Sequence, residues 1–422
     1  MSFLGSDNQK PNGLFKDSAI LSAGVLGANV FNMLFQVVMG RLFSVDEFGL
    51  LSSLLGIFNM LMLPLGVVAL AITHAVSELD GAGRRGDVRC LLRRCLIRLG
   101  GLGLLVNGFI YLFPEALVEW FQMDRVAPLY VFGFVLLGTL IRPVFFASLR
   151  GFEMFKAWSW GNLIQSIARL GGGLVLVISV SAYAGWGLLG HGMGVFVGLS
   201  FAGAVLWVCL KNEVSSGQAI PLLGGYMGQS VAVLLGLAVF LAGDVVLVRR
   251  AFPEWSGLYA YAAVLGHLIL VVPQSICGAL FPKVVKASFA ERMALYRSTA
   301  WMTLGAIVLL SLGVVVFGKG LLWLLFGNEA VTEESVRWLR YIALSLIPIC
   351  YLQYTVQFAL AVKQFRWLWV VLVFALVLVG LLEVGLVTSP DGLIGWMAGL
   401  ALMLAVGIDC RIRRGLSRES VR

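Results

Sequence analysis

Trp367-Leu-Trp-Val-Val-Leu-Val-Phe-Ala-Leu-Val-Leu-Val-Gly-Leu-Leu-Glu-Val-Gly-Leu-Val387 contains one ionisable side chain, Glu383. A helix needs about 20 apolar residues to cross a hydrocarbon core of about 30 Å. A barrel strand needs only about 9–11 residues, alternating between polar and apolar. This stretch is long and shows no alternation, so it reads as a membrane-spanning helix. Similar stretches recur along the chain, roughly at 18–40, 48–76, 97–113, 128–149, 158–180, 186–210, 226–248, 257–281, 299–318, 338–362, 367–388 and 392–410. The fold expected is an all-α polytopic membrane protein with about twelve transmembrane helices. The first stretch is long and follows a charged flank with no small-residue cleavage site after it, so it is read as retained.

Composition agrees. The 422 residues are 60% hydrophobic and 13% charged, against about 45–50% and about 25% for soluble domains. That excess excludes a cytosolic enzyme, a disordered chain and a secreted disulfide scaffold. The six cysteines (Cys90, Cys95, Cys209, Cys277, Cys350, Cys410) avoid the expected outside loops, and Cys90 and Cys95 lack partners at zinc-ligand spacing. No metal site is read from them.

The basic residues set an expected orientation. With the N-terminus cytoplasmic, 22 of the 31 Lys and Arg fall in inside segments, 7 in outside loops and two, Arg142 and Arg169, within spans. That bias follows the positive-inside rule, and an even number of spans puts both termini in the cytoplasm. The net charge of +9 is then mainly a topological record. Nucleic-acid binding has no support, because no separate basic domain exists. Arg84 to Arg98 carries six arginines and is suited to attract anionic membrane lipids, although topology alone accounts for it.

The chain also repeats itself. Arg41-Leu-Phe-Ser-Val-Asp-Glu-Phe-Gly49 opens the second span and Arg250-Ala-Phe-Pro-Glu-Trp-Ser-Gly257 the eighth. Pro64 answers to Pro273 and Pro143 to Pro348 at nearly the same offset. The expected organisation is a tail (1–17), a six-helix lobe (18–210), a linker (211–225), a second six-helix lobe (226–410) and a tail (411–422). Parallel repeats of this kind mark transporters built around a central cavity. The four prolines are candidate kinks or hinges, since each frees a carbonyl that only protein or a wet cavity can satisfy. In span six, Gly190, Gly194 and Gly198 form a small-residue face for close packing.

Polar residues inside spans are the candidate substrate contacts. An Arg at the bilayer centre costs about 2.5–3.5 kcal/mol on insertion scales, so it must pair, reach water or bind an anion. Arg142 precedes Pro143. Asn162, Gln165 and Arg169 share one helical stripe; Asn29, Asn32 and Gln36 share another, and Gln353 and Gln357 are one turn apart. Guanidinium and amide groups suit a diphosphate-linked glycan; the competing reading is hydrogen bonding between helices. Asp244 and His267 are candidate proton- or sodium-coupling groups, with structural pairing as the alternative. Glu383 is read as an interface residue, and His74 and His191 as structural.

Gly40-Arg-Leu-Phe-Ser-Val-Asp-Glu-Phe-Gly-Leu50, Leu149-Arg-Gly-Phe-Glu-Met-Phe155, and Asp244 through Gly266 continuing to Phe281-Pro282-Lys283 together resemble a polysaccharide transporter pattern. It is that of the lipid-linked O-antigen type of oligosaccharide flippase, in the MATE-like multidrug/oligosaccharidyl-lipid/polysaccharide (MOP) superfamily. The resemblance runs in order along nearly the whole chain. It implies a multi-pass protein of a bacterial or archaeal cytoplasmic (inner) membrane that flips undecaprenyl-diphosphate-linked oligosaccharide from the inner to the outer leaflet by alternating access. It further implies no cofactor beyond possible H+ or Na+ coupling. Partners would be the lipid-linked glycan, membrane lipids, and a polysaccharide polymerase and glycosyltransferases. A chain of this length with no helices beyond twelve fits the fourteen-helix lipid II flippases less well. A cation-coupled exporter of the same superfamily stays open, although its cavity would favour carboxylates. A membrane-embedded polymerase or glycosyltransferase would need a sizeable soluble loop with clustered acids. Only the 319–337 segment, with Glu329, Glu333 and Glu334, comes near that.

Overall fold

The computed structural model describes residues 11–219, 227–273, 276, 284, 288–362 and 367–419. The Phe281-Pro282-Lys283 motif lies outside the described residues, as do Cys277, linker positions 220–225, the first ten residues of the N-terminal tail and the last three of the C-terminal one. Every regular element among the described residues is helical. In chain order they are α1 (Pro11–Leu42), α2 (Val45–Gly81), α3 (Arg85–Leu112), α4 (Pro114–Trp120), α5 (Ala127–Gly151), α6 (Phe155–Ser179) and α7 (Ala184–Leu210). They continue with α8 (Met227–Ala242), α9 (Asp244–Ala251), α10 (Ser256–Gly266), α11 (Phe289–Phe326), α12 (Glu333–Ala361), α13 (Val370–Glu383) and α14 (Pro390–Glu419).

Local chemistry fixes the ends. Ser44 caps α2 by accepting from the Glu47 amide, and Asp46 and Glu47 place negative charge at the positive helix start. Ser288 with Glu291, and Thr332 with Ser335, form capping boxes for α11 and α12. Gly327, at φ +89, closes α11 in a conformation that L side chains avoid.

Among the described residues, ten helical stretches are long and apolar enough to span, and the pair α8–α9 makes an eleventh if counted together across its 67° bend. The count differs from about twelve for two local reasons. Span seven breaks at Gly243, just before Asp244, and α13 has only 14 residues, ending ahead of Gly385 at φ +78. Hydropathy also missed polar extensions. α3 begins at Arg85, so five of the six arginines expected in a loop sit on its first turns. Backbone hydrogen bonding carries a helix beyond the apolar stretch that marks it in sequence.

The residues gather into two compact units, Met1–Glu47 with Leu65–Met227, and Phe48–Pro64 with Gly228–Arg422. The stretch Phe48–Pro64 of α2 thus falls in the second unit, whereas its flanks Val45–Glu47 and Leu65–Gly81 fall in the first. The reason lies in its packing. Phe48 stacks on Tyr261 at 4.7 Å, and bare Gly49 sits against Ser256 and Gly257. In the first unit, Gly190 meets the backbone of Gly172 and Gly173, letting α6 and α7 approach closely. Such van der Waals fit, rather than hydrophobic exclusion, holds helices together in lipid.

Candidate functional site

The two span arginines fall in the first unit, on helices that bring amides to them. Arg142, on α5, donates from Nη2 to Asn162 Oδ1 at 2.6 Å and from Nε to Gln165 Oε1 at 3.0 Å. Its guanidinium lies 4.3 Å from the centre of the Phe146 ring, one turn along the same helix. Asn162 is oriented in turn by its own donation to the Trp158 carbonyl at 2.8 Å. Arg169, two turns beyond Asn162 on α6, donates to Asn32 Oδ1 of α1 at 3.2 Å and covers Phe35 at 4.2 Å. Its Nε is buried without a hydrogen-bond partner, as is Oε1 of Gln36.

Close packing sets these positions. A Cβ on Gly194 of α7 would lie 2.7 Å from Cβ of Arg169, and one on Gly198 would lie 3.0 Å from Oε1 of Gln165. The small-residue face of α7 thus makes room for the polar stripe of α6. His191, on the same helix, feels the charge of both Arg169 and Arg142.

The electrostatics are unbalanced. Among the described residues neither arginine has a carboxylate partner. Amide oxygens satisfy some donors but carry no charge. A guanidinium has five N–H donors, of which Arg142 engages two and Arg169 one. Two cations with donors to spare, backed by aromatic faces and amides, have the chemistry to hold a multiply charged anion with a polar body.

The second unit holds a different cluster. After the bend at Gly243, Asp244 opens α9 and is 4% exposed. Its Oδ2 accepts from Tyr259 Oη at 3.0 Å and lies 3.1 Å from His267 Nε2, while Oδ1 is buried with no hydrogen-bond partner. His267 opens a 3-10 turn ahead of Pro273 rather than standing in regular α-helix. A carboxylate with one oxygen held and the other bare has the chemistry to take up a proton or a small cation.

The remaining expected residues scatter. Asn29 is exposed on α1 and joins no hydrogen bond among the described residues. Gln353 is fully buried on α12 with neither amide atom partnered, and Gln357 is half-buried one turn later. Pro64, Pro143 and Pro348 lie inside α2, α5 and α12. Glu383 forms an exposed pair with Arg250 at 3.2 Å. Sequence reasoning passed over Phe35, Phe146 and Tyr259, and read His191 as structural. Phe35 and Phe146 sit three and four residues from a named polar residue, a helical spacing that offered a signal; Tyr259 offered none.

A family model, MatE, matches residues 21–169, less than half of the chain. No curated protein matches the sequence. An inward-facing multidrug resistance MATE family transporter of the MOP superfamily is similar in fold at TM-score 0.74, 12% identity, and 93% and 95% coverage of this chain and that one. The lipid II flippase MurJ, in an inward closed conformation, is similar at TM-score 0.69 and 12% identity, covering 94% and 87%. A MOP superfamily transporter from Pyrococcus furiosus, described as having a reverse polarity of its binding pocket, is similar at TM-score 0.59 and 10% identity, covering 98% and 97%. The fold is therefore MATE-like and all-α, shared with transporters and a flippase.

Proposed function

We propose that this chain is a flippase for lipid-linked oligosaccharide, carrying an undecaprenyl-diphosphate-type substrate from the inner to the outer leaflet by alternating access. The observation that carries this reading is the pair Arg142 and Arg169, held by Asn162, Gln165 and Asn32 with no carboxylate partner among the described residues. A diphosphate supplies the missing negative charge and accepts from planar guanidinium donors. Amides and the faces of Phe35 and Phe146 suit the sugar next to it. The likeness in fold to a lipid II flippase is consistent with a substrate of this type.

In this reading Asn29, Gln36, Gln353 and Gln357 are further contacts met along the path, and Pro64, Pro143, Pro273 and Pro348 let their helices bend during exchange. The protein sits in a bacterial or archaeal cytoplasmic membrane with both termini cytoplasmic, as the basic residues favour. It works beside glycosyltransferases that build the substrate and a polymerase that extends it. Asp244 and His267 couple a proton or sodium gradient to the cycle.

A second reading is cation-coupled export of small molecules. The bare Oδ1 of Asp244 favours it, as does the likeness in fold to multidrug transporters.

Proteoliposomes separate the two. The flippase reading expects wild-type protein to move a fluorescent undecaprenyl-diphosphate sugar, and the Arg142→Ala/Arg169→Ala double variant to be at least about tenfold slower, from lost hydrogen bonds to charged groups. Unchanged flipping by the double variant overturns the anion site. Movement of cationic dyes by protein that ignores the lipid-diphosphate sugar establishes the exporter.

A further inference from the structure

We propose that the second unit carries a binding groove for one anionic phospholipid of the surrounding bilayer, between α13 and α14. The groove has a volume of about 490 Å³, within the range of about 300–1,000 Å³ found for small-molecule sites. Val370, Phe374, Met403, Leu404 and Ile408 give it apolar walls, and Gly407 lies on its lining with open space where a Cβ would project. Arg411 stands at one end, its guanidinium 5.4 Å from the centre of the Trp367 ring, with Trp369 beside it and 61% exposed.

The chemistry selects the occupant. Apolar walls on two helices of a membrane protein face acyl chains, so the medium itself supplies a chain to lie along Phe374 and Met403. Tryptophans beside a basic residue mark the level of lipid headgroups. Arg413 is already paired with Asp409 at 2.8 Å, whereas Arg411 has no carboxylate partner among the described residues and keeps its donors for a phosphate. Arg411, Arg413 and Arg414 crowd this end of α14. Their combined charge disfavours the ammonium of a zwitterionic headgroup and favours a net negative one. Basic pockets between transmembrane helices bind such headgroups.

The test is native mass spectrometry of the full-length protein in detergent, titrated in parallel with dioleoyl-phosphatidylglycerol and dioleoyl-phosphatidylcholine. One tightly retained phosphatidylglycerol per wild-type chain is expected. Arg411→Ala should weaken that affinity about fivefold and leave phosphatidylcholine unchanged. Gly407→Leu should fill the groove and weaken retention of both. Equal retention of the two lipids by wild type, or wild-type affinity in Arg411→Ala, overturns the site. Arg411 is exposed, so its variant keeps the test readable should Gly407→Leu fail to fold.

Discussion

A Cβ on Gly49 would lie 2.7 Å from the amide nitrogen of Gly257 and 2.6 Å from Oγ of Ser256. The two glycines that marked an internal repeat in the sequence thus touch within one compact unit. Backbone cannot yield as a flexible side chain can, so Gly49→Val should force the first turns of α2 away from α10. Overpacking of this kind costs about 1–3 kcal/mol. The melting temperature in detergent should fall, and by less for Gly49→Ala. A variant as stable as wild type would show that this contact has slack.

Gly194→Leu tests how the proposed anion site is held. Its side chain would press on Cβ of Arg169 and on the Gln165 carbonyl, moving the guanidinium without removing it. The binding affinity for a soluble pyrophosphate-sugar analogue should drop by about tenfold, since displacing a charge-assisted bond is worth about 1.5–3 kcal/mol. Calorimetry reads the affinity, and Gly194→Ala should fall between Leu and wild type.

Asp244→Asn keeps the shape of the cluster with Tyr259 and His267 but removes its negative charge. If the carboxylate couples a gradient to transport, collapsing the proton or sodium gradient should slow wild-type transport in vesicles and leave the variant unaffected. Equal sensitivity in both would move coupling elsewhere. Tyr259→Phe removes one bond to a buried carboxylate, so it should lower stability by about 1–3 kcal/mol.

Asp87 pins the start of the linker to α3. Its Oδ1 accepts from Ser215 Oγ at 2.6 Å and from the Ser216 amide at 2.8 Å, and its Oδ2 pairs with Arg84 at 2.7 Å. The Ser216 hydroxyl also donates to Oδ2, and Asp87→Ala removes all four contacts together. Limited proteolysis should then cut within 211–219 several times faster than in wild type, with cleavage elsewhere unchanged.

How much of this was legible in sequence follows from the range of each force. Membrane class, helix type and most span positions are local, since a run such as 186–210, found within α7, satisfies its backbone in lipid only as a helix. The stripe of Asn162, Gln165 and Arg169 was legible for the same reason, because helical spacing puts i, i+3 and i+7 on one face. Local reading also misled where a helix outran its apolar run, as at Arg85, or where one glycine broke it, as at Gly243.

The sequence by itself determined that Arg142 and Arg169 had to find polar company inside a membrane, because an unpaired charge there is too costly to leave in lipid. Only the tertiary structure decided that the company is amides and phenyl rings instead of carboxylates. Asn32 reaches Arg169 across 137 positions of chain, and whether a cation meets an acid or an amide depends on which helices pack. The same holds for Asp244, whose partners Tyr259 and His267 arrive on a neighbouring helix and the turn that follows it. Packing across helices is specified by the fit of whole surfaces, such as glycine faces against bulky ones, and no local pattern carries that fit.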